Sequence, residues 1–161
     1  MTYVDGFVIP VKKSEIGQYR KMARLGAKVW MEHGALDYKE CVADDLTALQ
    51  PDGSRAPSLF PDLVQAKRGE TVVFSYIVYR SKAHRDAVNK RVFSDPRITS
   101  LDPADMPVDM GRMAAAGFKT LVEASAGKPT RRGKGDRKTR LRKTSSAERR
   151  MERLPLSGRP F

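Results

Sequence analysis

One cysteine, two histidines and one tryptophan stand among 161 residues. A lone cysteine, Cys41, excludes an internal disulfide framework and suits a reducing compartment, so a cytoplasmic location is expected. With only His33 and His84 to add, a zinc centre would have to draw on carboxylates. Asp44 and Asp45 are adjacent, but two carboxylates are fewer oxygen ligands than a hard cation takes. No metal and no cofactor is expected. No apolar run approaches the ~20 residues of a membrane-crossing helix, so no membrane partner is expected. The opening Met1-Thr2-Tyr3-Val4-Asp5-Gly6 lacks the basic start and apolar stretch of a secretory signal. There is no Walker sequence, no glycine-rich fingerprint after a strand and no G-x-S-x-G elbow, which argues against the common nucleotide-dependent enzymes and serine hydrolases.

Positive charge is plentiful but unevenly placed. The chain holds 31 Lys+Arg against 19 Asp+Glu, a formal net charge of +12. From residue 127 onward there are 13 basic and 3 acidic residues, a net +10, which leaves only +2 for residues 1–126. The break falls at Ala124-Ser125-Ala126-Gly127-Lys128-Pro129, a small-residue linker with glycine and proline. A domain over 1–125 is therefore expected, followed by a flexible basic tail over 126–161. Like charges repel in such a tail, and it has too little apolar surface to offset chain entropy. Ser145 and Glu148 have capping-box spacing, so a short helix over 146–154 is expected, stopped by Pro155. Arg131, Arg132, Lys134, Arg137, Lys138, Arg140, Arg142 and Lys143 are the candidate contacts to nucleic-acid phosphates. The only aromatic residue after Phe118 is Phe161, so base stacking is scarce and binding should be non-specific. A merely solubilising extension fits the same composition.

Periodicity organises the rest. Tyr3–Val11 alternates as a strand. Ser14 is a plausible cap for a helix whose stripe runs Ile16, Tyr19, Met22, Ala23, Gly26, Val29, Trp30 and His33, with Gly34 closing it. Residues 35–43 alternate, with Leu36, Tyr38, Glu40 and Val42 on one face. Residues 44–69 form a long connection, which needs local structure of its own; 60–66 suits a helical turn. Residues 71–79 are the most β-prone stretch, and Ser81 caps a second helix ending near Asp95-Pro96. Residues 103–107 read as loop and 113–123 as the last strand. The order β-α-β-β-α-β is the split βαβ pattern of a ferredoxin-like α+β sandwich. Two helices cover one sheet face, and the other face keeps apolar side chains that need a cover.

The blocks Tyr3–Val11, Trp30–Tyr38, Cys41–Asp45, Gly69–Ser75, Tyr79–Asn89 and Asp102–Pro107, with Arg112-Met113, resemble the bacterial YbaA-like family, domain of unknown function 1428. The resemblance spans roughly 1–124. It implies the dimeric α/β-barrel superfamily, a cytosolic homodimer pairing two ferredoxin-like sheets, and no settled activity. Two departures stand out: 46–58 is longer than the equivalent loop, and Met113-Ala114-Ala115-Ala116-Gly117 is small where larger apolar residues are expected.

Trp30, His33, Tyr76 and Arg85 are the candidate ligand-pocket residues. Trp30 and His33 are three apart on one helix face, where they suit one cavity. Relatives in the barrel superfamily include cofactor-independent oxygenases, so a proton-handling His33 points to an oxygenase or isomerase; the alternative is a helix-end cation favoured by the dipole. His84, Arg85 and Asp86 suit an anion near a helix N-terminus, or a solvated charged face. Cys41 is expected in the core, because nothing near it in sequence activates a thiolate. The readings weighed are a small organic ligand bound by a dimeric barrel, an RNA-associated protein acting through its tail, and the cofactor-independent enzyme.

Overall fold

The computed structural model describes residues Met1–Ala124. The tail expected over 126–161 and the short helix expected over 146–154 lie outside the described residues. β1 (Tyr3–Lys12) leads through a 3-10 turn (Lys13–Glu15) into α1 (Ile16–Glu32) and back to β2 (Asp37–Val42). A small hairpin, β3 (Thr47–Leu49) and β4 (Arg55–Pro57), and the one-turn α2 (Phe60–Leu63) precede β5 (Glu70–Tyr79). α3 (Lys82–Val92), the one-turn α4 (Pro96–Thr99) and a 3-10 turn (Pro103–Asp105) lead to β6 (Ala114–Lys119). The four long strands form one antiparallel sheet in the order β2-β5-β1-β6. Both helical crossovers therefore skip one strand, which is the α+β split-βαβ topology read from the periodicity.

Proline in a central strand needs an account, since it has no N–H for the ladder. Pro10 lies opposite Val72, and the Val72 carbonyl accepts from Ala43 N–H on the far side. An antiparallel pair turned away from one another in this way directs the Pro10 nitrogen toward β6. There β6 has already ended, its last partner being Val8.

The strand period of two then assigns the faces. Asp5, Phe7, Ile9 and Val11 of β1, with Thr71, Val73, Ser75, Ile77 and Tyr79 of β5, face the helices. α1 sets Tyr19, Ala23, Gly26 and Val29 against them, and α3 adds Val88 and Val92. Val8 and Val72 point the other way, where Val64 covers them. Beyond that patch the outward face is open: Phe74, Phe60 and Phe118 are exposed.

Local chemistry sets the helix ends. Ser81 Oγ accepts the His84 N–H, as its position predicts. Gly34, at φ +109°, turns the chain out of α1 in a conformation that L side chains rarely adopt. Ser14 does not cap α1: it sits within the 3-10 turn, and Glu15 takes the cap position without a side-chain bond. The hairpin was not visible in the alternation, yet Pro51-Asp52-Gly53 is turn chemistry, and Gly53 has φ +82°. The last strand is shorter than 113–123 because its partner β1 begins at Tyr3, opposite Lys119. A Cβ at Gly117 would overlap Tyr3 Oη, which explains the small residue there.

One ion cluster ties the segment before β6 to the start of β5. The Arg112 guanidinium donates to both Glu70 oxygens at 2.7 and 2.8 Å, and its Nε donates to Asp109 at 2.7 Å. The paired guanidinium brings the Glu70 carboxyl down from 4.5 to about 2.

Candidate functional site

The inward side chains do not fill the space between the helices and the sheet. A cavity of about 630 Å³ remains, walled by β1, β2, β5 and β6 below, α1 and α3 above, and residues 101–113 at the side. That volume lies in the range of small-molecule pockets. Its wall is mostly apolar, with Phe7, Ile9, Met22, Ile77, Phe93 and Met113 among the lining residues. Apart from the buried Ser75, polar side chains reach it at two places.

The first is built on β1 and α3. Asp5 continues the inward phase of a strand that otherwise sends Phe7, Ile9 and Val11 to the core. Its carboxylate lies 3.5 Å from Arg85 Nε, and that nitrogen makes no hydrogen bond among the described residues. Arg85 Nη2 donates to Tyr3 Oη at 3.2 Å, with the guanidinium 5.1 Å from the Tyr3 ring centroid. Asn89 Oδ1 accepts from Trp30 Nε1 at 3.2 Å and from Tyr79 Oη at 3.1 Å. Burial raises the Asp5 carboxyl above its ordinary range, chiefly against the pull of Arg85. Burial, helped by Asp5, also raises the Tyr79 phenol, so it remains a donor.

The second is built on β2 and α1. Glu40 Oε2 accepts from Tyr19 Oη at 2.6 Å, and Oε1 accepts from Tyr38 Oη at 2.7 Å. Burial and the Glu40 charge push both phenols well above the ordinary tyrosine range, so both stay protonated. Gly26 allows the approach: a Cβ there would stand 2.9 Å from Tyr38 Oη and 3.9 Å from Trp30 Cε3. The Trp30 and Tyr38 ring centroids are 6.2 Å apart.

Of the four pocket candidates, the fold brings two together. Trp30 and Arg85 line the cavity. Tyr76 lies on the opposite sheet face, its ring tilted against Phe74 at 6.0 Å, because it is out of phase with Ile77 and Tyr79. His33 closes α1 outside the cavity, with Nε2 2.8 Å from Asp95 Oδ2 and its carbonyl accepting from Arg91 at 2.7 Å. Asp95 is buried and also paired with Arg97, and those bonds hold its carboxyl far below the ordinary range. Cys41 is exposed rather than in the core, because it lies on the outward phase of an edge strand. His84 Nδ1 accepts from Arg80 N–H at 3.1 Å, and burial with Arg80 and Arg91 nearby lowers its pKa. The eight basic candidates from Arg131 to Lys143 lie outside the described residues.

Sequence reasoning missed Asp5, Glu40 and Asn89 as cavity residues. The signal for the first two was present: Asp5 is a carboxylate on the inward phase of an apolar strand, and Glu40 shares its strand phase with Leu36, Tyr38 and Val42, where a charge is costly without a role. Asn89 carried no such signal, since polar residues are ordinary on a helix.

A model of the family described as "Protein of unknown function (DUF1428)" matches residues 2–110. The chain is 42% identical to "Uncharacterized protein YbaA" of Escherichia coli (strain K12) over 123 residues, 76% of this chain and 99% of that protein. The YbaA of Shigella flexneri gives the same figures. Among solved structures, an uncharacterized NIPSNAP domain protein from Burkholderia xenovorans aligns with TM-score 0.46 and 12% identity, covering 77% of this chain and 99% of that one.

Proposed function

The chain belongs to the DUF1428 family, and from that premise we propose that it binds a small organic molecule in the cavity under α1, as a homodimer closed through the open sheet face. The cavity carries this reading: about 630 Å³, largely apolar, with polar atoms concentrated at Asp5–Arg85 and at Glu40. An apolar wall supplies affinity by desolvation, and a few fixed polar groups orient the ligand. The expected compartment is the cytoplasm, where the exposed Cys41 stays reduced.

A thermal-shift screen of aromatic and alicyclic molecules bearing one or two polar groups tests the reading. A ligand at ~100 times its Kd should raise Tm by roughly 5–10 °C. Trp30→Ala removes a wall of the cavity and should abolish that rise. His33→Ala, outside the cavity, should keep it. A rise that survives Trp30→Ala places the ligand elsewhere and defeats the assignment.

The charge split favours a second activity beside the first. Residues 1–126 carry +2 and the remaining residues +10, and the aligned relatives match 123 of the 161 residues and are themselves 99% covered. These figures and the family match over residues 2–110 support reading the basic stretch as an addition to the family domain, and RNA bound non-specifically is the partner its charge fits. With ~8 phosphate contacts, log K on duplex DNA should fall with log salt at a slope near −7, and on single-stranded RNA near −6. Replacing Arg131, Arg132, Lys134, Arg137, Lys138, Arg140, Arg142 and Lys143 by Gln in the full chain should remove both the binding and the slope. Undiminished binding would refute the tail's part.

A further inference from the structure

The cavity's charges are not balanced. Asp5, Glu40 and Arg85 are the lining residues that carry formal charge. Asp5 and Arg85 face one another at 3.5 Å. Glu40 makes no ion pair among the described residues; its two bonds come from the neutral phenols of Tyr19 and Tyr38. Both of its oxygens accept a hydrogen bond, the arrangement of an ionised carboxylate, and each keeps a further lone-pair position. The cavity therefore holds one uncompensated negative charge inside a mostly apolar wall.

That charge sits beside aromatic surface. Tyr38 bonds Glu40 directly, and the Trp30 ring lies 6.2 Å from the Tyr38 ring, tilted by 45°. Phe93 meets Trp30 at right angles, with ring centroids 6.0 Å apart. The missing side chain at Gly26 keeps space where the indole and the phenol converge. A carboxylate with electron-rich ring faces near it attracts a cation by charge and by the ring quadrupoles. An anion would find only Arg85, whose Nε already faces carboxylates of Asp86 at 3.3 Å and Asp5 at 3.5 Å and whose Nη2 donates to Tyr3, and it would add a further negative charge to a cavity that already holds Glu40.

We propose that the ligand is an organic cation, a protonated amine or quaternary ammonium, with its charge held at Glu40 beside Trp30 and Tyr38. This rests on the reading of the cavity as a ligand site. The register also sets a length. Glu40 is opposite Ser75 and Asp5 opposite Ile77, so the two carboxylates are two strand spacings and one two-residue step apart, roughly 12 Å between Cα atoms. A molecule of that span places an ammonium at Glu40 and a second polar group at Asp5–Arg85.

Calorimetric titration of the full chain with 2-phenylethylammonium, neutral 2-phenylethanol and anionic 3-phenylpropanoate tests the charge preference on similar apolar bodies. The ammonium should bind about tenfold or more tightly than either analogue. Glu40→Gln should weaken the ammonium about tenfold and leave phenylethanol unchanged. Trp30→Leu, which leaves the Glu40 bonds in place, should weaken the ammonium more than phenylethanol, so the inference does not hang on the folding of one variant. Equal or tighter binding of the alcohol or the carboxylate overturns the cation assignment and leaves the ligand site standing. An ammonium preference that persists in Glu40→Gln also overturns it. Failure of all three probes to bind the unsubstituted chain overturns the assignment together with the cavity's role.

Discussion

Phe74→Asp should leave the chain monomeric, and the unsubstituted protein should sediment as a dimer. Phe74 lies on the outward phase of β5, 43% exposed, between Phe60 at 6.2 Å and Tyr76 at 6.0 Å. Phe118, on the outward phase of β6, is 56% exposed. The two long helices cover one side of the sheet and α2 with Val64 covers only part of the other, so the remaining apolar surface is suited to a second copy, which offers a face of matching character. In a two-fold interface each substitution enters twice. A carboxylate taken into an apolar contact without a partner costs a few kcal/mol, so two copies should raise the dissociation constant roughly a thousandfold or more. Sedimentation velocity at tens of micromolar reads the mass, and an unchanged far-ultraviolet spectrum shows that the fold persists. A monomeric unsubstituted chain, or a Phe74→Asp dimer, would sink the homodimer.

Tyr79→Ala should cost about 3–5 kcal/mol of stability, the range for truncating a large buried aromatic. Tyr79 has no exposed surface and packs with Val29, Ile77, Val88 and Val92, so neither wall can collapse cheaply into the space. For a chain this size the loss corresponds to a fall in Tm of roughly 6–20 °C, and it is a large share of a typical total of ~5–15 kcal/mol. Tyr79→Phe separates packing from polarity: it keeps the ring and deletes the donor to Asn89 Oδ1, which still holds the Trp30 Nε1 bond. Its cost should be about 1 kcal/mol. Chemical denaturation of both variants measures the difference. Equal losses would mean that the hydroxyl, rather than the ring, carries the stability.

The two halves of the molecule were unequally legible. Alternation in 3–12 and 70–79 and the three-and-four spacing of α1 reach nearly the observed strands and helices, because burial on one face leaves its period in the sequence. Ser81 was legible as a cap because its side-chain oxygen serves an N–H three residues on, a purely local bond. The β3–β4 hairpin was less so: its strands are short and nearly all exposed, and burial writes no pattern there. His33 and Tyr76 were drawn toward the cavity for different reasons. The helix stripe extends to His33, but α1 ends before it and Asp95 takes the imidazole. Tyr76 is one residue out of phase, and on a strand one residue is the whole difference between the two faces.

By itself the sequence determined the order of the four long strands and two long helices, most of the faces they bury, and the split between a nearly neutral stretch and a strongly basic one. These are properties of neighbours along the chain, set by backbone geometry and by the cost of leaving apolar surface in water. Only the tertiary structure decided which polar groups meet. Tyr19 reaches Glu40 from 21 residues away, Trp30 reaches Asn89 from 59, and Arg85 reaches Tyr3 from 82. Strand register and helix docking bring such pairs within hydrogen-bond distance, and both result from packing the whole core at once. A periodicity names the face on which Glu40 lies. The fold alone leaves its charge unpaired beside Trp30.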